Sequence, residues 1–236
     1  MWAVLLAYLS YSIGDWLFIF RNQEDPYVAG IIAFIIAHGL VLASIVVFVR
    51  AVAAQEGGLK KIMGSYTAFT AILIIILAAT IISFIFLATN VAPQFGGYVL
   101  VIVGLLCVAM IGMVMSGFFY FFACHKISSE LYWGSLETMF GTLLIYGSNH
   151  LLFHGKYNQI YMDRISGAAN AYPEMLGYYF GLYFMGKGFF NTARYFSLLD
   201  SKEVGPNLRY KVGRGARSGS DSKIDSNPAR DSVEKK

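Results

Sequence analysis

The chain has 236 residues, of which 57% are hydrophobic and 14% charged, with a formal net charge of +4. A soluble domain needs more charge than that to cover its surface, so the composition excludes an ordinary soluble enzyme and points to a polytopic membrane protein. No phosphate-cradling Gly loop, CxxC pair or GxSxG elbow occurs, and no nucleic-acid partner or cofactor is expected.

A membrane span needs about 20 mainly apolar residues. Such runs lie at 2–20, 28–49, 64–89, 97–124, 131–153 and 173–199. The expected fold is therefore all-α, a bundle of about six transmembrane helices over 1–199, followed by a disordered basic tail over 200–236. In the first run, Trp2 to Phe20 lacks a basic stretch before it and a small-residue cleavage site before Arg21, so it reads as a retained helix rather than a signal peptide. It carries Asp15. The second carries His38. The third has no charged residue, and the fourth holds Cys107 and Cys124, which read as small apolar fillers rather than a disulfide framework. Its glycines (Gly104, Gly112, Gly117), like Gly177 and Gly181 in the sixth run, read as close helix-packing positions. The fifth run carries Glu137, Asn149 and His150, and the sixth carries Lys187 together with Tyr178, Tyr179 and Tyr183. In the tail, Arg209 to Arg217 is basic and Gly- and Ser-rich, suited to solvation or to contact with anionic lipid headgroups.

Loop charge sets orientation. Arg50, Lys60, Lys61 and Lys126 fall on the side of the tail, which adds nine more basic residues, while Arg21, Lys156 and Arg164 fall on the other. Both termini are expected to be cytoplasmic.

Polar side chains at bilayer depth are costly unless they meet partners, so they mark structure-defining or functional positions. At about 1.5 Å per residue, Asp15 and Asn149 lie roughly 8 and 6 Å below the outer ends of their runs, and His38 roughly 15 Å below. Asp15 and Asn149 can then share a layer. Glu137 and Lys187 both fall roughly 20–25 Å down by the same rise, which permits a buried ion pair; a catalytic use of Glu137 is the alternative. His38 reads equally as an interhelical hydrogen-bonding residue or a site residue. Asp15 has no cation at its depth, so burial favours the neutral acid, a form able to donate a proton. Tyr179 and Tyr183, with Tyr178 beside them, read either as interfacial anchors or as the wall of a lipid cavity.

Three segments then carry a resemblance. Ser12-Ile13-Gly14-Asp15 is followed by a G-x-x-x-F-x-x-A-H pattern from Gly30 through Phe34 and Ala37 to His38, and by Gly141-Thr142-Leu143-Leu144-Ile145-Tyr146-Gly147-Ser148-Asn149. Together with the tyrosine-rich last run, these resemble the YhhN-type lysoplasmalogenases over about residues 10–190. The resemblance implies a bundle usually of eight helices, of which the first two have no counterpart here, making this a shortened form or an incomplete sequence. The family's second aspartate corresponds to Asn149, and a glutamine frequent in its last helix corresponds to Leu182.

What the resemblance implies chemically is hydrolysis of the vinyl ether of a lysoplasmalogen to a fatty aldehyde and a glycerophospho base. Such cleavage needs a proton donor and a stabiliser or base, as in glycoside hydrolysis. Asp15 suits the donor; Asn149 can orient water, leaving His38, His150 or Glu137 to supply the second role, with Tyr178, Tyr179 and Tyr183 binding lipid. The partners are then a lysoplasmalogen-like lipid and the surrounding membrane, that of the endoplasmic reticulum in a eukaryote. Two other readings stand: a non-catalytic membrane subunit or lipid-binding relative, and a zinc-dependent membrane hydrolase in which His150 and His154, spaced i, i+4, join His38 and Asp15.

Overall fold

The computed structural model describes the backbone of residues 2–18, 24–58, 66–90, 97–161 and 171–200; side chains are described over the same ranges except at 24, 66–68, 86–87, 90, 97, 151–161, 171–174 and 199–200. The described residues form six helices and no strands: α1 (Trp2–Phe18), α2 (Glu24–Glu56), α3 (Tyr66–Asn90), α4 (Gly97–Cys124), α5 (Ser129–Tyr161) and α6 (Ala171–Asp200). The expected tail, and the loop cations Arg21, Lys60, Lys61 and Arg164, lie outside the described residues, as does the side chain of Lys156.

Local chemistry accounts for the helix ends. Pro26 sits in the first turn of α2, where its missing N–H costs no helical hydrogen bond. At the other end, Gly57 and Gly58 take positive φ angles of 86° and 109°. The Gly58 N–H returns to the Ala53 carbonyl at 2.7 Å, the 6→1 bond of a Schellman cap. Helix α5 begins with Ser128 as its cap: its hydroxyl accepts from Leu131 N–H at 3.1 Å, and Glu130 places a negative charge in the positive first turn.

Helix α5 pairs most intimately with α6, and α1 with α2; α4 packs against both α2 and α5, and α3 leans on α4. Glycine makes the α5–α6 approach possible. A Cβ at Gly141 would stand 2.6 Å from the Gly181 carbonyl oxygen and from Met185 N, and one at Gly188 would stand 2.6 Å from the Gly134 carbonyl oxygen. The two backbones therefore touch at two levels, a distance only small residues allow. Hydroxyls buried between the helices bond back to their own chain, as Thr138 to Gly134 O and Thr192 to Gly188 O, both at 2.8 Å. That arrangement needs no water.

Large apolar side chains point outward as well as inward. Ile74, Ile75, Ile81, Ile82 and Ile85 on α3, and Val101, Leu105 and Val108 on α4, are exposed. Among the described residues, two segments are long and apolar enough to cross a membrane, Asp25–Glu56 and Tyr98–Cys124, with mean hydropathies of 2.7 and 2.8. Shorter apolar stretches occupy Trp2–Phe18 and Phe69–Ile85.

The glycine contacts generate a paired expectation. Gly141→Ala drives a methyl into backbone that cannot yield, so it should destabilise the fold by about 1–3 kcal/mol. Gly39 has nothing within 4 Å of its would-be Cβ, so Gly39→Ala should leave stability unchanged or raise it by up to about 1 kcal/mol through helix propensity. Thermal unfolding of both variants in detergent, followed by circular dichroism, checks the contrast.

Candidate functional site

Tyr11, His38, Asn149 and Tyr178 converge from four different helices, with Asp15 one turn beyond Tyr11. His38 is fully buried and uses both ring nitrogens: Nδ1 meets the Tyr11 hydroxyl at 2.7 Å, and Nε2 meets the Asn149 amide nitrogen at 3.2 Å. The Tyr11 hydroxyl also reaches the Met113 sulfur at 3.4 Å. One proton arrangement satisfies all three contacts. Asn149 donates to Nε2, the neutral ring donates from Nδ1–H to the tyrosine oxygen, and the tyrosine O–H points to the thioether.

The helix ends set the depth of this string. Helix α5 continues to Tyr161 rather than stopping near 153, and α2 starts at Glu24. Asn149 thereby lies roughly 18 Å from the α5 end and His38 roughly 21 Å from the α2 end. The two share a level, and Asn149 spends its amide on His38 rather than facing Asp15.

Asp15 is half-buried on α1. Its carboxyl faces the Tyr178 hydroxyl, close enough for the two groups to interact. That hydroxyl is buried and completes no hydrogen bond. The Tyr178 ring is held edge-on by Tyr11 and Phe34, each with ring centres 5.9 Å away. Phe34 in turn covers Gly14, where a Cβ would stand 3.1 Å from its ring. The residue before Asp15 thus lacks a side chain because an aromatic ring occupies that space. Tyr11 joins the two halves of the site by packing on Tyr178 and bonding to His38; it was passed over in the sequence because a tyrosine in an apolar run reads as filler.

The other candidates lie elsewhere. His150 packs its ring on Tyr146, with centres 4.4 Å apart, and the Tyr146 hydroxyl bonds to Thr80 at 2.7 Å on α3. Tyr179 and Tyr183 are 50% and 61% exposed, on the outer face of α6, so they do not line the same interior as Tyr178, which is 7% exposed. The expected aromatic wall is therefore split between two faces. Glu137 is about 18 Å along α5 from Asn149, too far to act on a group beside Asp15. It forms the expected ion pair, with Lys187 Nζ 2.7 Å from Oε1, while Asn191 donates to Oε2 at 2.7 Å. Lys187 is half-exposed rather than enclosed, so the pair closes the rim of the α5–α6 seam instead of a sealed core.

Among the described residues, no group of three or more His, Cys, Asp or Glu side chains is placed to hold a metal ion. The His154 side chain of the zinc reading lies outside the described residues. His38 has its two nitrogens engaged by Tyr11 and Asn149, so it cannot ligate a metal without losing one of them.

Removing the Tyr11 hydroxyl should leave a buried imidazole N–H unsatisfied. Tyr11→Phe is expected to cost about 1–3 kcal/mol in thermal unfolding. For the ion pair, Glu137→Gln and Lys187→Met should each lower the melting temperature, and the double variant should recover part of the loss; additive losses would show that the two charges are not coupled in solution.

Compared with protein-family models, curated proteins and solved structures, the chain matches none, so the chemistry of this site rests on its own geometry.

Proposed function

We propose that the chain is a six-span membrane protein whose Asp15 site hydrolyses the vinyl ether of a lysoplasmalogen-type lipid. The observation that carries the reading is the Asp15 carboxyl beside the buried Tyr178 hydroxyl, an acid and a hydrogen-bond donor at one place near the end of α1. A carboxyl group carrying its proton can donate it to a bound substrate. The outward apolar side chains of α3 and α4 and the inward hydroxyls suit a bundle in lipid.

In this reading the protonated Asp15 delivers its proton to the vinyl carbon that is not bonded to the ether oxygen, and the electrons of the C=C bond form the new C–H bond. The adjacent carbon becomes an oxocarbenium ion, paired with the carboxylate just formed. Water adds to that carbon and loses a proton back to Asp15. The hemiacetal collapses to the aldehyde and the glycerol hydroxyl, for a net consumption of one water. Tyr178 donates to the oxygen that carries developing charge or to the incoming water. His38 and Asn149 act at a distance: they hold Tyr11, which holds the Tyr178 ring. They are positioning residues.

One observation favours the second reading, a non-catalytic membrane protein of the same fold. Where a hydrolase of this kind wants a second carboxylate, Asn149 is committed to His38. An aldehyde-release assay decides between them, using purified chain with a lysoplasmalogen and its alkyl-ether analogue as control. The hydrolase reading expects turnover on the vinyl ether alone, a fall of at least about a hundredfold for Asp15→Asn, and a smaller fall for Tyr178→Phe. Folded protein that releases no aldehyde sinks it.

Orientation has a separate check. A tag on the C-terminus and a thiol probe on Lys126→Cys should be reached from the same, cytoplasmic side; opposite sides would rule out an even number of spans between them.

A further inference from the structure

Charges repeat along the outer α5–α6 face at matching intervals. Glu130 and Glu137 are seven residues apart on α5, and Lys187 and Arg194 seven apart on α6, two helical turns or about 10 Å in each case. The helices run antiparallel, so Glu137 opposite Lys187 puts Glu130 opposite Arg194 and Trp133 opposite Asn191. The first rung is closed at 2.7 Å. Among the described residues, Glu130 and Arg194 make no ion pair within 4.0 Å. Between the open rung and the closed one lies a cleft of about 400 Å³, lined by Glu130, Trp133, Glu137, Lys187, Asn191 and Arg194.

The ladder changes character along its length. Its next rung inward is Phe140 against Phe184, edge to face with ring centres 5.3 Å apart, and Phe140 is exposed. The charged end lies within two residues of the start of α5, at the level of the helix end, and the aromatic end lies deeper. An occupant must therefore bring an anion to Arg194, a cation to Glu130 and the exposed Trp133 ring, and an apolar chain to the phenylalanines. Arginine binds phosphate oxygens through paired N–H groups, and tryptophan faces attract ammonium groups.

We propose that this cleft binds the headgroup of a zwitterionic phospholipid, phosphate on Arg194 and ammonium between Glu130 and Trp133, with its acyl chain along Phe140 and Phe184. The proposal rests on the membrane reading of the chain but not on its hydrolytic activity, and the cleft is distinct from the Asp15 site. A soluble zwitterion satisfies the charged end alone; the apolar rungs select the lipid.

The test uses the full chain carrying Trp2→Phe and Trp16→Phe, which leaves Trp133 as the one tryptophan of the three. It is reconstituted in phosphatidylglycerol nanodiscs doped with phosphatidylcholine bearing a nitroxide on its headgroup. Trp133 fluorescence should be quenched in a saturable way and restored by unlabelled phosphatidylcholine, but not by the same concentration of soluble phosphocholine. In the Glu130→Gln/Arg194→Gln variant, with helical content unchanged by circular dichroism, the apparent affinity should fall by about tenfold. Equal quenching in that variant, or displacement by phosphocholine, overturns the proposal. Protein that enters nanodiscs intact yet shows no saturable quenching sinks the cleft alone; protein that will not enter them sinks the membrane reading with it.

Discussion

The close approach of α5 and α6 is the constraint from which the other interactions follow. With glycine at 134, 141, 181 and 188, the two helices are locked in register at two levels, since a Cβ at any of the four would meet opposing backbone or side chain at 3.0 Å or less. Once that register is set, every other residue on the facing sides has an assigned partner. Glu137 falls opposite Lys187, Phe140 opposite Phe184, and Asn149 is turned toward α2. Dispersion between the close backbones contributes to the attraction.

Polar groups are distributed in layers along this seam, and each layer is satisfied by a different device. Near the start of α5 an ion pair takes a third partner, Asn191. Tyrosine and threonine hydroxyls pair across helices at two further levels, Tyr120 with Thr192 at 2.5 Å toward the start of α5 and Tyr146 with Thr80 at 2.7 Å farther along it. Deeper still, a neutral imidazole bridges tyrosine and asparagine. Where they are buried, each of these costs little when complete and roughly 1–3 kcal/mol when broken. Tyr178 differs: its buried hydroxyl faces the Asp15 carboxyl and makes no hydrogen bond of ordinary geometry to a protein group.

The G-x-x-x-F-x-x-A-H segment on α2 acts through Tyr11. Phe34 and His38 are one turn apart on α2, and both contact Tyr11 and face Tyr178 or its neighbours. Ala37 between them is fully buried, leaving room for α1 to pack. The segment is a scaffold for the α1 face that bears Asp15.

Helix number and class were legible from the sequence because apolar runs of membrane length report directly on helices, and the described helices fall on all six runs. Glu137 with Lys187 was legible too, since two opposite charges at one depth on neighbouring helices have few other ways to be satisfied. Three things were decided only by tertiary structure. The partner of Asn149 depended on how far α5 and α2 extend past their apolar runs, and polar helix ends such as Tyr157 to Tyr161 carry no hydropathy signal. Tyr11 was invisible as a site residue because its role comes from four contacts made across helices rather than from its neighbours in the chain. The tyrosines of α6 looked equivalent in sequence, yet a helix turns about 100° per residue, so adjacent residues point apart: packing against α1 and α2 turned Tyr178 inward and left Tyr179 and Tyr183 outside.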